Sequence, residues 1–464
     1  METLVRTRAR SYRTGVMKFI ERVLSARKSF IAYLPFFIAS FALLITAILE
    51  AFFVNVDVLH YQCYATVFWF GAETSQLLQV PQCRFILPFS RFHTLPLEYP
   101  PLTLAIFSPP LLAPERAYPV VFALGMALIA FFIYWLLLGY GPRGAGAVFA
   151  ACLVVGCLGT AFSRFDMVPG ALTLLCLVLA EHKHWSLAYL TLALGVLTKL
   201  FPIVLFPLLF LAEQRDQAGF FFPDRPFTLN KIPTVFRQTL HNIHHWHWKN
   251  TLGFFGILVG VTAFFWTLNS NGAFGSFSYL YLRPFEVESI GSVLLWLASY
   301  FGAPIHWITS FGSLNITSGL AGVLSQGFFI LLGLGYIYIL IQQWEGKMDL
   351  VQASLAALLV LIAANKVFSP QYLLWLIPLL AYSAAGNRRL LLHWCGISVL
   401  TTLIYPFLFG IIPLNADPFR VPGFMPAILL RNGLFVLLTV AYFLNLLNLR
   451  ERSVIPGPTR PALK

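Results

Sequence analysis

The chain has 464 residues, of which 58% are hydrophobic and only 11% charged, with a formal net charge of +13. Soluble globular chains carry about 25% charged residues, so a soluble enzyme, a disordered chain and a disulfide-stapled secreted domain are excluded. A porin-type barrel is excluded too, because the apolar runs far exceed its strands of roughly ten alternating residues. What remains is an all-α, polytopic helical membrane protein.

In chain order, residues 1–28 form a basic arm with eight Lys/Arg and no apolar core of the kind a signal peptide needs. A first span is expected over 29–54, followed by a long polar segment, 55–116. Spans follow near 117–140, 143–162 and 167–181. The apolar stretch 184–213 is broken at Thr198-Lys199-Leu200-Phe201-Pro202. A proline there ends or kinks a helix, so two short helices in a hairpin are expected. Residues 214–249 make a polar loop rich in Lys, Arg and His. Further spans are expected near 250–268, 318–343, 349–365, 371–385, 389–412 and 431–449. The segment 269–317 is mostly polar, with one apolar helix near 289–302, and 450–464 is a basic tail. The organisation is therefore an arm (1–28), a transmembrane domain (29–449) of about twelve membrane helices, and a tail (450–464).

With the N-terminus inside and spans alternating, 22 of the 31 Lys/Arg fall on the inner side. This obeys the positive-inside rule and puts both termini in the cytoplasm, with the chain in the plasma membrane. The positive charge is thus a matter of topology, and no nucleic-acid partner is expected. The run His241-Asn242-Ile243-His244-His245-Trp246-His247 has no recognisable ligand spacing and reads as an interfacial segment. No CxxC or His/Cys spacing suggests a metal. Cys152, Cys157, Cys176 and Cys395 lie in apolar runs, whereas Cys63 and Cys83 share one polar loop and can bridge if it faces an oxidising side.

The outer-side charges occupy particular places. Asp57 lies just past the first span with Tyr61 four residues on, on the same face of a helix. Asp57 is either a general base or a helix N-cap. Glu98-Tyr99-Pro100-Pro101-Leu102 leads rigidly into a helix. Arg164-Phe165-Asp166 occupies a short turn, as an ion pair or a substrate contact. Arg283-Pro284-Phe285-Glu286-Val287-Glu288-Ser289 opens the apolar segment of the 269–317 loop. Lys366, Arg431 and Lys199 are cations at or inside the apolar layer, where an unpaired charge costs several kcal/mol and usually marks function. Each is alternatively a snorkelling anchor. Trp69, Trp296 and Trp307 are candidates for sugar stacking or for interfacial anchoring.

Taken together, these stretches resemble the polyprenol-phosphate-mannose-dependent mannosyltransferases of glycosyltransferase family 87, which are GT-C-type membrane enzymes. The resemblance is carried by Asp57-Val58 with Tyr61, by EYPPL at 98–102, RFDMVPGALTLL at 164–175, GVLTKLFPIVLFPLLF at 195–210, RPFEVES at 283–289 and NKVFSPQYLLWLIPLL at 365–380. It implies a GT-C fold. It also implies transfer of a hexose, mannose above all, from a polyprenyl-phosphate donor to a lipid or glycan acceptor at the outer membrane face, with inversion. Asp57 matches the acidic residue placed just after the first span, and so takes the role of catalytic base. Arg283, Lys366, Arg431 and Lys199 are then expected at the donor phosphate. Tyr61, Glu98, Tyr99, Arg164, Asp166, Glu288 and His306 are expected at the substrates, with His306 as a second candidate base. No cofactor and no metal are expected. The expected partners are the donor, the acceptor and membrane lipids. A secondary transporter or lipid flippase is the main rival reading, since broken helices suit it too, and a non-catalytic membrane scaffold is the third.

Overall fold

The long apolar runs fold as helices, because a backbone in lipid must satisfy its polar groups within its own segment. The computed structural model describes residues 30–53, 57–71, 93–217, 245–412 and 417–444. The helices are α1 (Leu34–Phe53), α2 (Asp57–Phe70), α3 (Tyr118–Tyr140), α4 (Ala145–Gly156), α5 (Met167–Glu181), α6 (Trp185–Thr198), α7 (Phe206–Gln217) and α8 (Trp248–Leu268). They continue with α9 (Gly275–Leu282), α10 (Ile290–Ser299), α11 (Ala321–Trp344), α12 (Leu350–Ala363), α13 (Leu373–Ala384), α14 (Arg388–Thr402) and α15 (Phe424–Phe443). Among the described residues, five segments are long and apolar enough to cross a membrane: Glu115–Tyr140, Trp248–Leu268, Ala321–Trp344, Arg388–Leu408 and Phe424–Phe443. Shorter apolar segments of 10–17 residues accompany them, Leu34–Glu50, Ala145–Gly156, Met167–Glu181, Trp185–Thr198 and Leu350–Ala363 among them. The chain is an integral membrane protein.

Helix α13 is the centre of the bundle. Leu373, Leu374, Leu376, Ile377, Leu379, Leu380 and Ala381 are all buried, so the helix is apolar on every side. It packs on α4, α5 and α12. The α5 contact depends on Gly170, where a Cβ would lie 2.8 Å from the Leu374 carbonyl oxygen. Small residues of this kind let membrane helices approach closely.

The break at Lys199 makes a hairpin. Trp185, at the start of α6, donates from Nε1 to Asp216 Oδ2 near the end of α7 at 3.2 Å, and Lys183 pairs with the same carboxylate. Helix α6 therefore runs toward the Lys199 end of the bundle and α7 runs back. A short 3₁₀ turn, Phe201–Leu205, carries Pro202 between them.

Two features depart from expectation. The 269–317 segment holds a small antiparallel sheet, β1 (Phe285–Glu286), β2 (Ile305–Ser310) and β3 (Ser313–Ser318), in the order β1-β3-β2. Its hairpin closes with Ser310 opposite Ser313, and Phe311 and Gly312 both have positive φ, 54° and 64°. That is the two-residue turn that matches strand twist. The last span begins at Phe424, behind Gly423 with φ 82°, so Arg431 lies inside the helix rather than at its start. Cys63 is disulfide-bonded, and Cys152, Cys157, Cys176 and Cys395 are free. Cys83, the arm 1–28, the tail 450–464 and most of the 214–249 loop lie outside the described residues.

Candidate active site

At the Lys199 end of the bundle, the ends of α1, α6, α12 and α14 meet the starts of α2, α5 and α13. A cavity of about 480 Å³ opens there. Its walls carry Asp57, Glu98, Tyr99, Arg164, Lys199, Arg283, Glu286 and Glu288. These residues come from five separate motifs of the sequence.

Asp57 opens α2, and its Oδ2 pairs with Arg164 Nη1. Arg164 is fixed by the turn before α5, where its amide donates to the Thr160 carbonyl at 3.1 Å. Both side chains keep some exposure to the cavity, 17% for Arg164 and 24% for Asp57.

Lys199 caps the end of α6 with extended backbone. Its ammonium donates to Asp166 Oδ1 at 2.5 Å, and Trp375 Nε1 donates to the same oxygen at 2.7 Å. Phe165, Trp375 and Tyr99 surround the ammonium at 4.9, 5.3 and 5.7 Å from ring centre to nitrogen. Burial lowers the Lys199 pKa, and Asp166 opposes that shift. Asp166 is fully buried behind Lys199 and does not itself line the cavity. Phe201, Trp375 and Tyr372 form a three-ring stack, with centroids 4.1 and 3.9 Å apart, that makes this wall rigid.

Arg283 follows α9. It donates from Nη2 to Ser313 Oγ at 2.8 Å, and its buried Nε has no hydrogen-bond partner. Among the described residues it forms no ion pair, so it is the cavity cation without a carboxylate partner. Next to it, the hairpin tip at Phe311-Gly312 reaches the cavity, and the Tyr279 hydroxyl donates to the Phe311 carbonyl.

The 283–289 stretch is pinned from several sides. Glu286 accepts from the Phe368 amide at 3.2 Å, its amide donates to the Lys366 carbonyl at 2.9 Å, and Ser289 caps α10 through the Ser292 amide. Glu288 is held by Arg431: Nη1 donates to Oε2 at 3.0 Å and Nη2 donates to the Glu288 carbonyl. Arg431 Nε donates to Asn432 Oδ1 at 3.0 Å, and the guanidinium lies 4.0 Å from the Phe368 ring centre. Burial raises Glu288 to about 8, with Glu286 adding to the shift and Arg431 opposing it.

Several sequence candidates lie elsewhere. Arg431 is fully buried outside the cavity lining, and its donors are engaged by the protein. Lys366 Nζ donates to the Tyr281 carbonyl at 3.0 Å and does not line the cavity. His306 is exposed on β2, where it pairs with Thr317 across the ladder. Tyr61 is buried and stacked 4.4 Å from Phe107. Trp69, Trp296 and Trp307 also lie outside the lining. The sequence reading did not single out Glu50, Tyr279, Tyr372 or Tyr405. Glu50 carried a signal all the same, as an acid inside an apolar span.

No curated protein and no solved structure matches the chain. Residues 97–223, which carry Glu98, Tyr99, Arg164 and Lys199 of this cavity and Asp166 behind it, match the model of Glycosyltransferase family 87, and it is this family that the chain is similar to.

Proposed function

We propose that the chain is a membrane glycosyltransferase that moves a hexose, mannose in the first instance, from a polyprenyl-phosphate donor to a lipid or glycan acceptor at the outer face of the plasma membrane. The observation that carries this reading is the gathering of three cations, Arg164, Lys199 and Arg283, and the carboxylate of Asp57 around one cavity at one end of the bundle. In that reading the donor phosphate lies against Arg283 and Lys199, and Asp57 accepts the proton of the acceptor hydroxyl. The acceptor oxygen forms its bond to the anomeric carbon as the carbon–oxygen bond to phosphate breaks. The bonding pair leaves with the phosphate, and the configuration inverts. A positioned carboxylate contributes roughly 10²–10⁴-fold as a general base. Fixed cations meet the charge that develops on the leaving phosphate.

The test is transfer by the purified, reconstituted protein from synthetic polyprenyl-phosphate mannose to extracted membrane lipids, beside the same assay with a nucleotide sugar. Transfer from the lipid-linked donor alone supports the reading, and the mass of the product names the acceptor. Transfer from the nucleotide sugar contradicts the donor class. Donor-dependent flux in liposomes without transfer favours a transporter.

A further inference from the structure

Glu98 lines the cavity, and among the described residues its carboxylate makes no hydrogen bond and no ion pair. The other acids of the lining are committed: Asp57 to Arg164, Glu286 to the Phe368 amide and Glu288 to Arg431. The residues on either side of Glu98 are nevertheless clamped. Leu97 packs on Gly275 at the start of α9, where a Cβ would lie 3.0 Å from Leu97 Cδ2 and 3.2 Å from its Cα. Tyr99 sets its ring edge-on to Phe165 and Tyr61, with centroids 4.9 and 6.0 Å apart. Pro100 and Pro101 then fix the backbone into the 3₁₀ turn Pro101–Thr103. The carboxylate so held faces the tip of the β2–β3 hairpin: a Cβ on Gly312 would lie 3.6 Å from Glu98 Oε1 and 4.0 Å from the Tyr279 hydroxyl oxygen. The same tip holds Arg283, whose Nη2 donates to Ser313 Oγ at 2.8 Å and whose guanidinium carbon lies 5.7 Å from the Tyr279 ring centre. One acid and one cation therefore flank a single hairpin tip, which has no side chain at Gly312.

We propose that Glu98 selects the sugar: its carboxylate accepts hydrogen bonds from hydroxyls of the hexose being transferred, and Gly312 leaves room for the ring beside it. This assignment rests on reading the cavity as the site of hexose transfer from a polyprenyl phosphate. The sugar is bonded directly to the donor phosphate, so a phosphate against Arg283 sets the ring beside the tip that Glu98 also faces. A carboxylate repels that phosphate and therefore meets the uncharged part of the donor. It has two oxygens that only accept, and a hexose ring offers hydroxyl donors on neighbouring carbons. A site built to hydrogen-bond a substrate hydroxyl rejects the analogue that lacks it, because the polar group of the site is then left unpaired. Glu98 takes up no proton in this role, and Asp57 remains the base.

The experiment compares kcat/KM of reconstituted wild type, Glu98→Gln and Glu98→Ala on synthetic polyprenyl-phosphate mannose and on its 2-, 3-, 4- and 6-deoxy analogues. The intrinsic reactivity of each analogue cancels when its ratio to mannose is compared between variants. Wild type is expected to disfavour the analogue lacking a Glu98-bound hydroxyl by about 10- to 100-fold, the value of a hydrogen bond to a charged group. Glu98→Ala is expected to lose that factor on mannose and to treat mannose and that analogue alike. Glu98→Gln, which keeps one acceptor, falls between. Thermal midpoints of both variants are expected at the wild-type value, since Glu98 has no protein partner to lose. Wild-type transfer of mannose by Glu98→Ala, the wild-type ranking of all four analogues in that variant, or a large fall in both midpoints overturns the inference alone. Failure of wild type to transfer from the mannose donor overturns the reading of the site, and this inference with it.

Discussion

Lys199 Nζ lies 2.5 Å from Asp166 Oδ1, joining the break of the α6–α7 hairpin to the turn that opens α5. The carboxylate is fully buried, and Trp375 donates to the same oxygen. Asp166→Asn keeps an acceptor for Trp375 but leaves a buried ammonium without its counter-ion. Breaking one side of a buried pair costs about 3–5 kcal/mol, so thermal unfolding in detergent should show a large drop. The surviving protein should have a raised KM for the donor, because Lys199 then loses the partner that fixes its direction.

Arg283 offers the opposite case. Its guanidinium faces the cavity without a carboxylate, tied only to Ser313 Oγ among the described hydrogen bonds. Arg283→Ala should leave stability nearly unchanged. Donor KM should rise about 10- to 100-fold, the value of a charge-assisted hydrogen bond of roughly 1.5–3 kcal/mol. Arg283→Lys should recover part of the loss, since it keeps the charge without the fork. Steady-state kinetics at varied donor concentration separates these outcomes.

Arg431 should behave as a structural anchor for the 283–289 stretch. Arg431→Gln takes the donor from buried Glu288 Oε2 and is expected to cost about 1–3 kcal/mol, the value of an unsatisfied buried group. The double variant Arg431→Gln/Glu288→Gln replaces the carboxyl with an amide that carries its own donor and should recover part of that stability. Donor KM of the folded fraction should stay at the wild-type value in both. A raised donor KM with unchanged stability would instead place Arg431 at the phosphate.

Glu288 also predicts a pH dependence of stability. The unfolded chain releases this proton near the ordinary value of 4.5, whereas the folded site holds it until about 8. Between those values the folded state binds more protons, so stability falls as pH rises. Glu286, raised by burial in the same place, steepens the same slope. Thermal midpoints measured in detergent should be higher at pH 5.5 than at pH 8, and Glu288→Gln should flatten the difference.

Lys199 was legible because it interrupts an apolar run, where a charge is expensive. Glu98, Arg164 and Arg283 stood out as outer-side charges in a proline-led helix entry, a short turn and the opening of an apolar segment, and all four line the cavity. Which acid pairs with which cation was not legible. Arg431 and Glu288 are 143 residues apart, and nothing local in the sequence fixes their meeting. The same holds for Asp166, which reads as an ion-pair partner in its own turn or a substrate contact and which pairs with Lys199, 33 residues away. The small sheet was hidden because its turn is Phe311-Gly312, outside the usual Asn-Gly or Asp-Gly signals. Glu50 lies inside the 29–54 span, and its partner Tyr405 is 355 residues away, beyond anything local in the sequence.

The most direct measurement is transfer from synthetic polyprenyl-phosphate mannose by reconstituted wild type and Asp57→Asn, with folding of both checked by thermal unfolding. A folded Asp57→Asn protein should bind the donor and lose transfer by at least about 10²-fold, the lower end of what a general base supplies. Full transfer by that variant would contradict the account.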